Sequence, residues 1–186
     1  MGRDKAGLSL RGRSLLERAV DRVRQAGGEP LILGPPRAES ETAGCRQIDE
    51  SVVRSTEPGG PLFALRHGLS VCGTPVAVAL ACDVPLVPPD FLRFLASEAE
   101  GYEAVVPRVA GELQVLTAGY ARSCLEAIDR HLASGAGSVH GFLPAVRLRL
   151  VEVEEIERFG GEAIFLNVNR PEDLARAEAW LARGGG

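Results

Sequence analysis

The chain has no close pair of cysteines, no long apolar run and no excess of positive charge, and each absence removes a class of protein. Its four cysteines, Cys45, Cys72, Cys82 and Cys124, are scattered without the spacing that zinc sites use. A chain of this size with an adequate core has little need of disulfides, so they read as reduced, partly buried thiols. His67, His131 and His140 share no metal-like spacing either. Neither Ser138 nor any cysteine has an evident base partner, so nucleophilic catalysis is not indicated. No apolar stretch approaches the roughly 18 residues of a membrane helix, and the first residues lack the apolar segment of a secretory signal. Cytoplasm is the natural setting, with no membrane partner. A formal net charge of −4 and a pI near 5.5 argue against a surface that holds nucleic acid by counterion release. A small anionic ligand stays open, because one local cluster of donors is enough to bind it.

What is present is ordinary globular material. The 186 residues are 45% hydrophobic and 25% charged, and they suffice for one domain with a full core. No repeat or linker interrupts residues 1–183, and Gly184 to Gly186 form a frayed tail. From Ser14 to Gln25 the apolar positions Leu15, Leu16, Ala19, Val20 and Val23 share a helical face, which Gly27 and Gly28 end. Leu31 to Leu33 is a short apolar run closed by Gly34, Pro35 and Pro36, as a buried strand would be. Pro61 to Val71 has helical spacing. Pro75 to Ala81 is the most apolar segment and is expected as a central parallel strand.

A helix follows from Pro88-Pro89-Asp90, with proline at its preferred place near the start. Glu103 to Pro107 and Glu112 to Leu116 are expected strands, and Ala121 to Ala133 a helix. Leu148 to Val153 alternates like an exposed strand. Phe165 to Asn169 is the last expected strand, before a helix through Trp180 and Leu181. The order implies an α/β fold: a doubly wound, mostly parallel Rossmann-like sheet with a short antiparallel element and helices on both faces.

Open α/β sheets bind ligands at the carboxyl ends of their strands. Asp83 lies at such an end, just past the most apolar strand. A carboxylate there can hold Mg²⁺, which commonly takes one or two carboxylates together with substrate phosphates; capping of the next turn is the alternative. Arg3 and Lys5 place two cations before the first helix, where they suit a polyphosphate, or are simply a solvated end. Gly59 and Gly60 form a turn that lets backbone approach a base or phosphate. Asp49 and Glu50 precede that turn and can accept hydrogen bonds from a guanine or a ribose, or stand as a solvated pair. Asn167 and Asn169 offer amides to a ligand or metal, while Asn169 also suits the N-cap of the helix at Arg170-Pro171.

Taken together, these segments resemble the molybdenum cofactor guanylyltransferases, within the nucleotidyltransferases of the nucleotide-diphospho-sugar transferase fold. Met1-Gly2-Arg3-Asp4-Lys5-Ala6 is similar to the second half of a glycine-rich signature reading roughly LAGGxSxRMGxDKA. Arg11 to Leu16 continues the likeness with Ser14 in place of a usual proline. Gly60-Pro61-Leu62 resembles the family's GPL element and Cys82-Asp83-Val84-Pro85 its CDxP metal motif. Gln114 to Tyr120 is similar to QPLxAxY, with Val115 where proline is usual. Asn167 to Leu174 resembles the NxNxPEDL block. The blocks follow the family's order from the first residue to the last helix.

The resemblance implies a magnesium-dependent transfer of GMP from GTP to molybdopterin, with release of pyrophosphate. It implies Asp83 as the metal ligand, Lys5 as a catalytic cation with Arg3 beside it, and Asp49 or Glu50 as the guanine-nucleotide contact. Gly34 stands where the family has an asparagine, and Asn167 and Asn169 fall to the pterin or a second metal contact. Molybdoenzymes or cofactor-assembly proteins are implied as further partners. The resemblance also implies a strand and most of a glycine loop ahead of Met1, so that either the start is assigned at an internal methionine or the polypeptide is a defective enzyme. A cytidylyl- or sugar-nucleotide transferase, and a non-catalytic binding module, are the alternative readings.

Overall fold

The computed structural model describes residues 5–42, 44–49 and 60–184. It opens with a 3₁₀ turn, Lys5–Gly7, and a two-residue hairpin of β1 (Ser9–Leu10) and β2 (Arg13–Ser14). Arg11 and Gly12 both have positive φ, 50° and 76°, the backbone that the tightest hairpins demand. Ser14 then caps helix α1 (Leu15–Gln25): its hydroxyl accepts from the Glu17 N–H, and the Glu17 carboxylate accepts from the Ser14 N–H at 2.7 Å. This reciprocal capping box satisfies two otherwise unpaired donors. The same contacts hold the Glu17 carboxyl below its ordinary pKa.

Strand β3 (Leu31–Gly34) pairs in parallel with β4 (Arg46–Asp49), and a short helix, α2 (Glu39–Thr42), lies between them in sequence. Helix α3 (Pro61–Val71) leads into β5 (Val76–Leu80). Helix α4 (Pro89–Glu98) precedes β6 (Ala104–Val109), which turns through Ala110 and Gly111, again both at positive φ, into β7 (Glu112–Leu113). Strand β8 (Thr117–Ala121) and helix α5 (Cys124–Ala133) follow. The chain ends through α6 (Val139–Phe142), β9 (Leu148–Val151), α7 (Val153–Ile156), a 3₁₀ stretch over Gly161–Phe165, and α8 (Pro171–Ala182).

The main sheet runs β5–β8–β6, with β9 on the far edge of β6 and β7 at its carboxyl end. Strands β5, β6 and β9 point one way, while β7 and β8 are reversed. The α/β class with helices on both faces is therefore as expected, and the antiparallel element is β8 wedged between two parallel strands. This corrects the expectation for Pro75–Ala81: among the described residues β5 pairs only with β8, antiparallel, and its five residues are half-buried. Four further expectations change. Glu112–Leu116 shortens to two paired residues, the next five form the unexpected β8, and the helix starts at Cys124. Leu148–Val151 is a half-buried strand paired to β6, with Val151 fully buried. Phe165 to Asn169 is a 3₁₀ turn followed by extended chain rather than a strand.

Alternation along β5 divides the core. Ala77 and Ala79 face α3, α5 and α6, where Leu62, Leu69, Tyr120, Ile128 and Phe142 are buried. Val76, Val78 and Leu80 face α4 and the α7 region, among Phe91, Leu95, Val105 and Phe165. On the first side Arg66 pairs with Asp129, tying α3 to α5. On the second, Arg149 of β9 meets Glu98 at 2.8 Å and Glu155 at 2.7 Å, and lies over the Phe94 ring. A third cluster joins Leu10, Leu15, Leu86, Val168 and Ala177, with Leu8, Leu174 and Trp180 against it. It brings the first hairpin, the loop after β5 and the last helix together.

The four cysteines are free thiols and Cys124 is the buried one, as expected. Burial, with the neighbouring Glu103, pushes its pKa to about 12. No helix among the described residues is long and apolar enough to cross a membrane.

Gly119 in β8 lies directly beneath α4: a Cβ there would stand 2.6 Å from the Leu95 carbonyl oxygen. Backbone cannot yield as a flexible side chain can, so Gly119→Ala is expected to destabilise the fold by roughly 2–3 kcal/mol. For a chain of this length that is a drop of about 5–10 °C in Tm by calorimetry.

Candidate functional site

The site is assembled at the carboxyl end of β5. The strand stops at Leu80; Ala81 donates its N–H to the Leu116 carbonyl at 2.8 Å, and Cys82 and Asp83 then leave the sheet. Proline at 85 and the buried side chains Val84, Leu86 and Val87 hold the loop that follows. Asp83 itself is half-buried.

The Asp83 carbonyl accepts the Val168 N–H at 2.7 Å. Val168 is fully buried while Asn167 and Asn169 on either side of it are exposed. Alternation of an extended segment explains the pattern: the anchor points in and its neighbours point out. One backbone hydrogen bond thus sets both asparagines beside the Asp83 loop. The expected capping by Asn169 is replaced. Arg170 is the capping position, and the Asp173 carboxylate accepts the backbone N–H groups of both Asn169 and Arg170, at 3.1 and 3.0 Å. Arg170 rather than Asn169 is therefore the N-cap, with Asp173 supplying the return hydrogen bond to the backbone at the helix start.

The first hairpin reaches the same place through apolar packing. Leu10 in the hairpin and Leu15 just after it pack with Leu86, three residues beyond Asp83, and with Val168. Arg18 clamps this arrangement by donating twice to the Leu10 carbonyl, at 3.0 and 2.6 Å. Lys5 opens the 3₁₀ turn that leads into Leu8. Arg3 lies outside the described residues.

Gly34 and Asp49 are brought together as register partners at the last position of the β3–β4 ladder. This is the carboxyl end of that pair, and Gly34 has φ near 154°, where glycine is favoured. They belong to a different ladder from Asp83. Glu50 lies outside the described residues. Gly60, with φ near 156°, precedes Pro61 at the start of α3, where no side chain caps the helix. Helix α3 runs back against β5 through a short turn, so its N-terminus lies toward the carboxyl end of β5, and it also packs on β3 through Gly68 and Leu33.

Two features escaped sequence reasoning. Tyr120 is buried and donates its hydroxyl to the Val115 carbonyl at 2.7 Å, which fixes the turn from Gln114 to Leu116 beside Asp83. Leu116 is one of only two large hydrophobic side chains exposed among the described residues. A tyrosine five residues after an irregular turn carries a pattern, but nothing in sequence gives its direction. A groove of about 410 Å³, lined by Arg24, Gly28, Cys45 and Arg46, lies at the opposite, amino ends of β3 and β4. It shares no residue with the blocks above.

No group of three or more His, Cys, Asp or Glu side chains among the described residues could cage a metal. Asp83 thus belongs to no such group and offers a single carboxylate, with the Asn167–Asn169 segment bound to its backbone. That suits Mg²⁺ completed by substrate phosphates, and does not suit a Zn²⁺ or Ca²⁺ cage.

The family model described as the MobA-like NTP transferase domain matches residues 1–148. The chain belongs to this family. It is 32% identical over 180 residues to the "Probable molybdenum cofactor guanylyltransferase" of Pelotomaculum thermopropionicum, an alignment covering 95% of this chain and 85% of that protein. Among solved structures, molybdopterin-guanine dinucleotide biosynthesis protein A from Archaeoglobus fulgidus superposes with a TM-score of 0.77 at 24% identity, covering 98% of this chain and 92% of that one. The 2-C-methyl-D-erythritol 4-phosphate cytidylyltransferase of Thermus thermophilus superposes with a TM-score of 0.71 at 24% identity, over 96% and 94% of the two chains. Both structures support the nucleotidyltransferase fold.

Tyr120→Phe deletes the donor to a buried carbonyl, which is expected to cost about 1–2 kcal/mol in denaturant unfolding. Amide exchange should accelerate most in residues 114–117. Uniform acceleration across β8 and α5 would show that the tyrosine serves the core rather than the turn.

Proposed function

We propose that this protein transfers GMP from GTP to molybdopterin, forming the guanine dinucleotide and releasing pyrophosphate. One observation supports the reading beyond family membership: a single apolar cluster and one backbone hydrogen bond bring the hairpin that follows Lys5, the Asp83 loop and the Asn167–Asn169 segment together.

In the reaction, an oxygen of molybdopterin's terminal phosphate attacks the α-phosphorus of GTP. The bond to the β-phosphate oxygen breaks, and its electron pair leaves with pyrophosphate. The attacking phosphate is already ionised near neutral pH, so no general base is required. Asp83 would hold Mg²⁺, which when bound supplies positive charge to the phosphate oxygens. Lys5 and Arg3 add cationic charge to the same phosphates, Lys as a point charge and Arg as a fork. Gly34, Gly60 and the carboxylate of Asp49 or Glu50 serve the nucleoside, with Gly34 allowing close backbone approach where a side-chain amide is missing. Asn167 and Asn169 face the acceptor side, as hydrogen-bonding partners of the pterin or a further contact to the metal. Positioning and charge complementarity then supply most of the acceleration. Cytoplasmic cofactor assembly, with molybdoenzymes or assembly proteins receiving the product, is the setting this reading implies.

Asp83→Asn keeps size and hydrogen-bonding capacity while removing the charge. It is expected to lower guanylyl transfer at saturating Mg²⁺ by about a hundredfold or more, with Tm unchanged within about 2 °C; equal turnover would remove Asp83 from the metal role. In the same assay GTP should outcompete CTP, and a preference for CTP would transfer the reading to cytidylyl chemistry.

A further inference from the structure

Leu116 and Tyr102 have nearly the same exposure, 39% and 41%, and they are the two large hydrophobic side chains left exposed among the described residues. They lie at opposite ends of the sheet. Tyr102 precedes β6, whose first residues are level with the last residues of β8. Leu116 precedes β8, whose first residue pairs with Leu80, the last of β5. Its carbonyl accepts the Ala81 N–H two residues before Asp83. Leu116 is also held rigidly: Val115 before it is buried and bound by Tyr120, and Thr117 after it is buried, with its N–H donated to the Gln114 carbonyl at 2.9 Å. An apolar side chain kept in water by a turn pinned on both sides is a prepared contact surface, because the ordering entropy is already met by the fold.

Its side of the site follows from the strand order. Strand β8 occupies one edge of β5, and its other edge is taken by β6. Strand β3 packs with β5 on helix α3, whereas Leu116 is joined to β5 through β8, so Gly34 and Asp49 are carried on a different neighbour of β5 from Leu116. Leu116 stands on the β8 side of β5, apart from those nucleotide-side residues. We infer that Leu116 is the apolar platform against which the ring system of the acceptor packs, setting acceptor affinity while the nucleotide lies on the β3 side. The inference rests on the guanylyl-transfer reading for the identity of the acceptor, and it adds a residue that contributes affinity through contact area rather than charge. A flat heterocycle with polar edges and an apolar face matches such a surface: the edges go to amides such as Asn167 and Asn169, the face to the leucine.

The test compares Leu116→Ala, Leu116→Met and Tyr102→Ala with the parent chain, each checked for an unchanged Tm. In steady-state guanylyl transfer, Leu116→Ala should raise the KM for molybdopterin about tenfold. The KM for GTP and kcat should stay within about twofold, Leu116→Met should recover most of the loss, and Tyr102→Ala should behave as the parent. An unchanged acceptor KM, or a rise confined to the KM for GTP, would overturn the assignment. If the parent chain shows no transfer, the failure belongs to the guanylyl-transfer reading. Direct binding of metal-free molybdopterin, followed by its fluorescence, then decides this inference separately: weaker binding to Leu116→Ala upholds it and equal binding refutes it.

Discussion

The hydrogen bond from the Val168 N–H to the Asp83 carbonyl is the constraint on which the site depends. It links the exit of β5 to a segment far later in the chain, and it forms in an apolar surrounding made by Leu10, Leu15, Leu86 and Ala177. An unmade backbone hydrogen bond in such a place costs its full desolvation penalty, so the two segments are locked in register. Everything more open around it inherits that register. Asn167 and Asn169 point out because Val168 points in, and Asp83 is half-exposed because Val84 and Leu86 are buried after it.

The same logic explains why the capping of α8 matters to function. Asp173 takes the N–H groups of Asn169 and Arg170, leaving the asparagine side chain out of the helix start. At α1, Ser14 and Glu17 exchange hydrogen bonds to start the helix that carries Leu15 into the shared cluster. Where the family resemblance has proline, the serine supplies a capping hydroxyl instead. Each cap thus fixes the direction of a helix whose first turn feeds the site.

Much of this was legible in residue order. The helices over 15–25, 61–71, 89–98 and 171–182 have apolar spacing and clear stops, and they stand within a few residues of expectation. Of the blocks singled out by resemblance, the Asp83 loop and the Asn167–Asn169 segment are joined by a backbone hydrogen bond, and Leu10 and Leu15 pack against both; Arg3 and Glu50 lie outside the described residues. Other features left no local trace. Strand β8 contains a glycine and two alanines, weak strand formers, and exists because Gly119 lets α4 lie close and because β5 and β6 both need a partner. The two tight hairpins use Arg11-Gly12 and Ala110-Gly111, whose first residues are unusual for left-handed backbone. Strand β4, with Arg and Gln among its four residues, is polar enough to pass for loop. The antiparallel neighbour of β5 was hidden because burial on two faces gives the same continuous apolar run whichever way the partner points.

The central claim is that the segments around Lys5, Asp83 and Asn167–Asn169 form one ligand site. The most direct measurement is nuclear magnetic resonance of the amide-labelled protein with GTP and substoichiometric Mn²⁺, whose paramagnetism broadens nearby signals. Selective broadening of amides near Lys5, Asp83 and Val168, with Tyr102 untouched, is the expected result. Broadening centred on Arg24 and Arg46 at the opposite end of β3 and β4, with Asp83 and Val168 unaffected, would contradict the account.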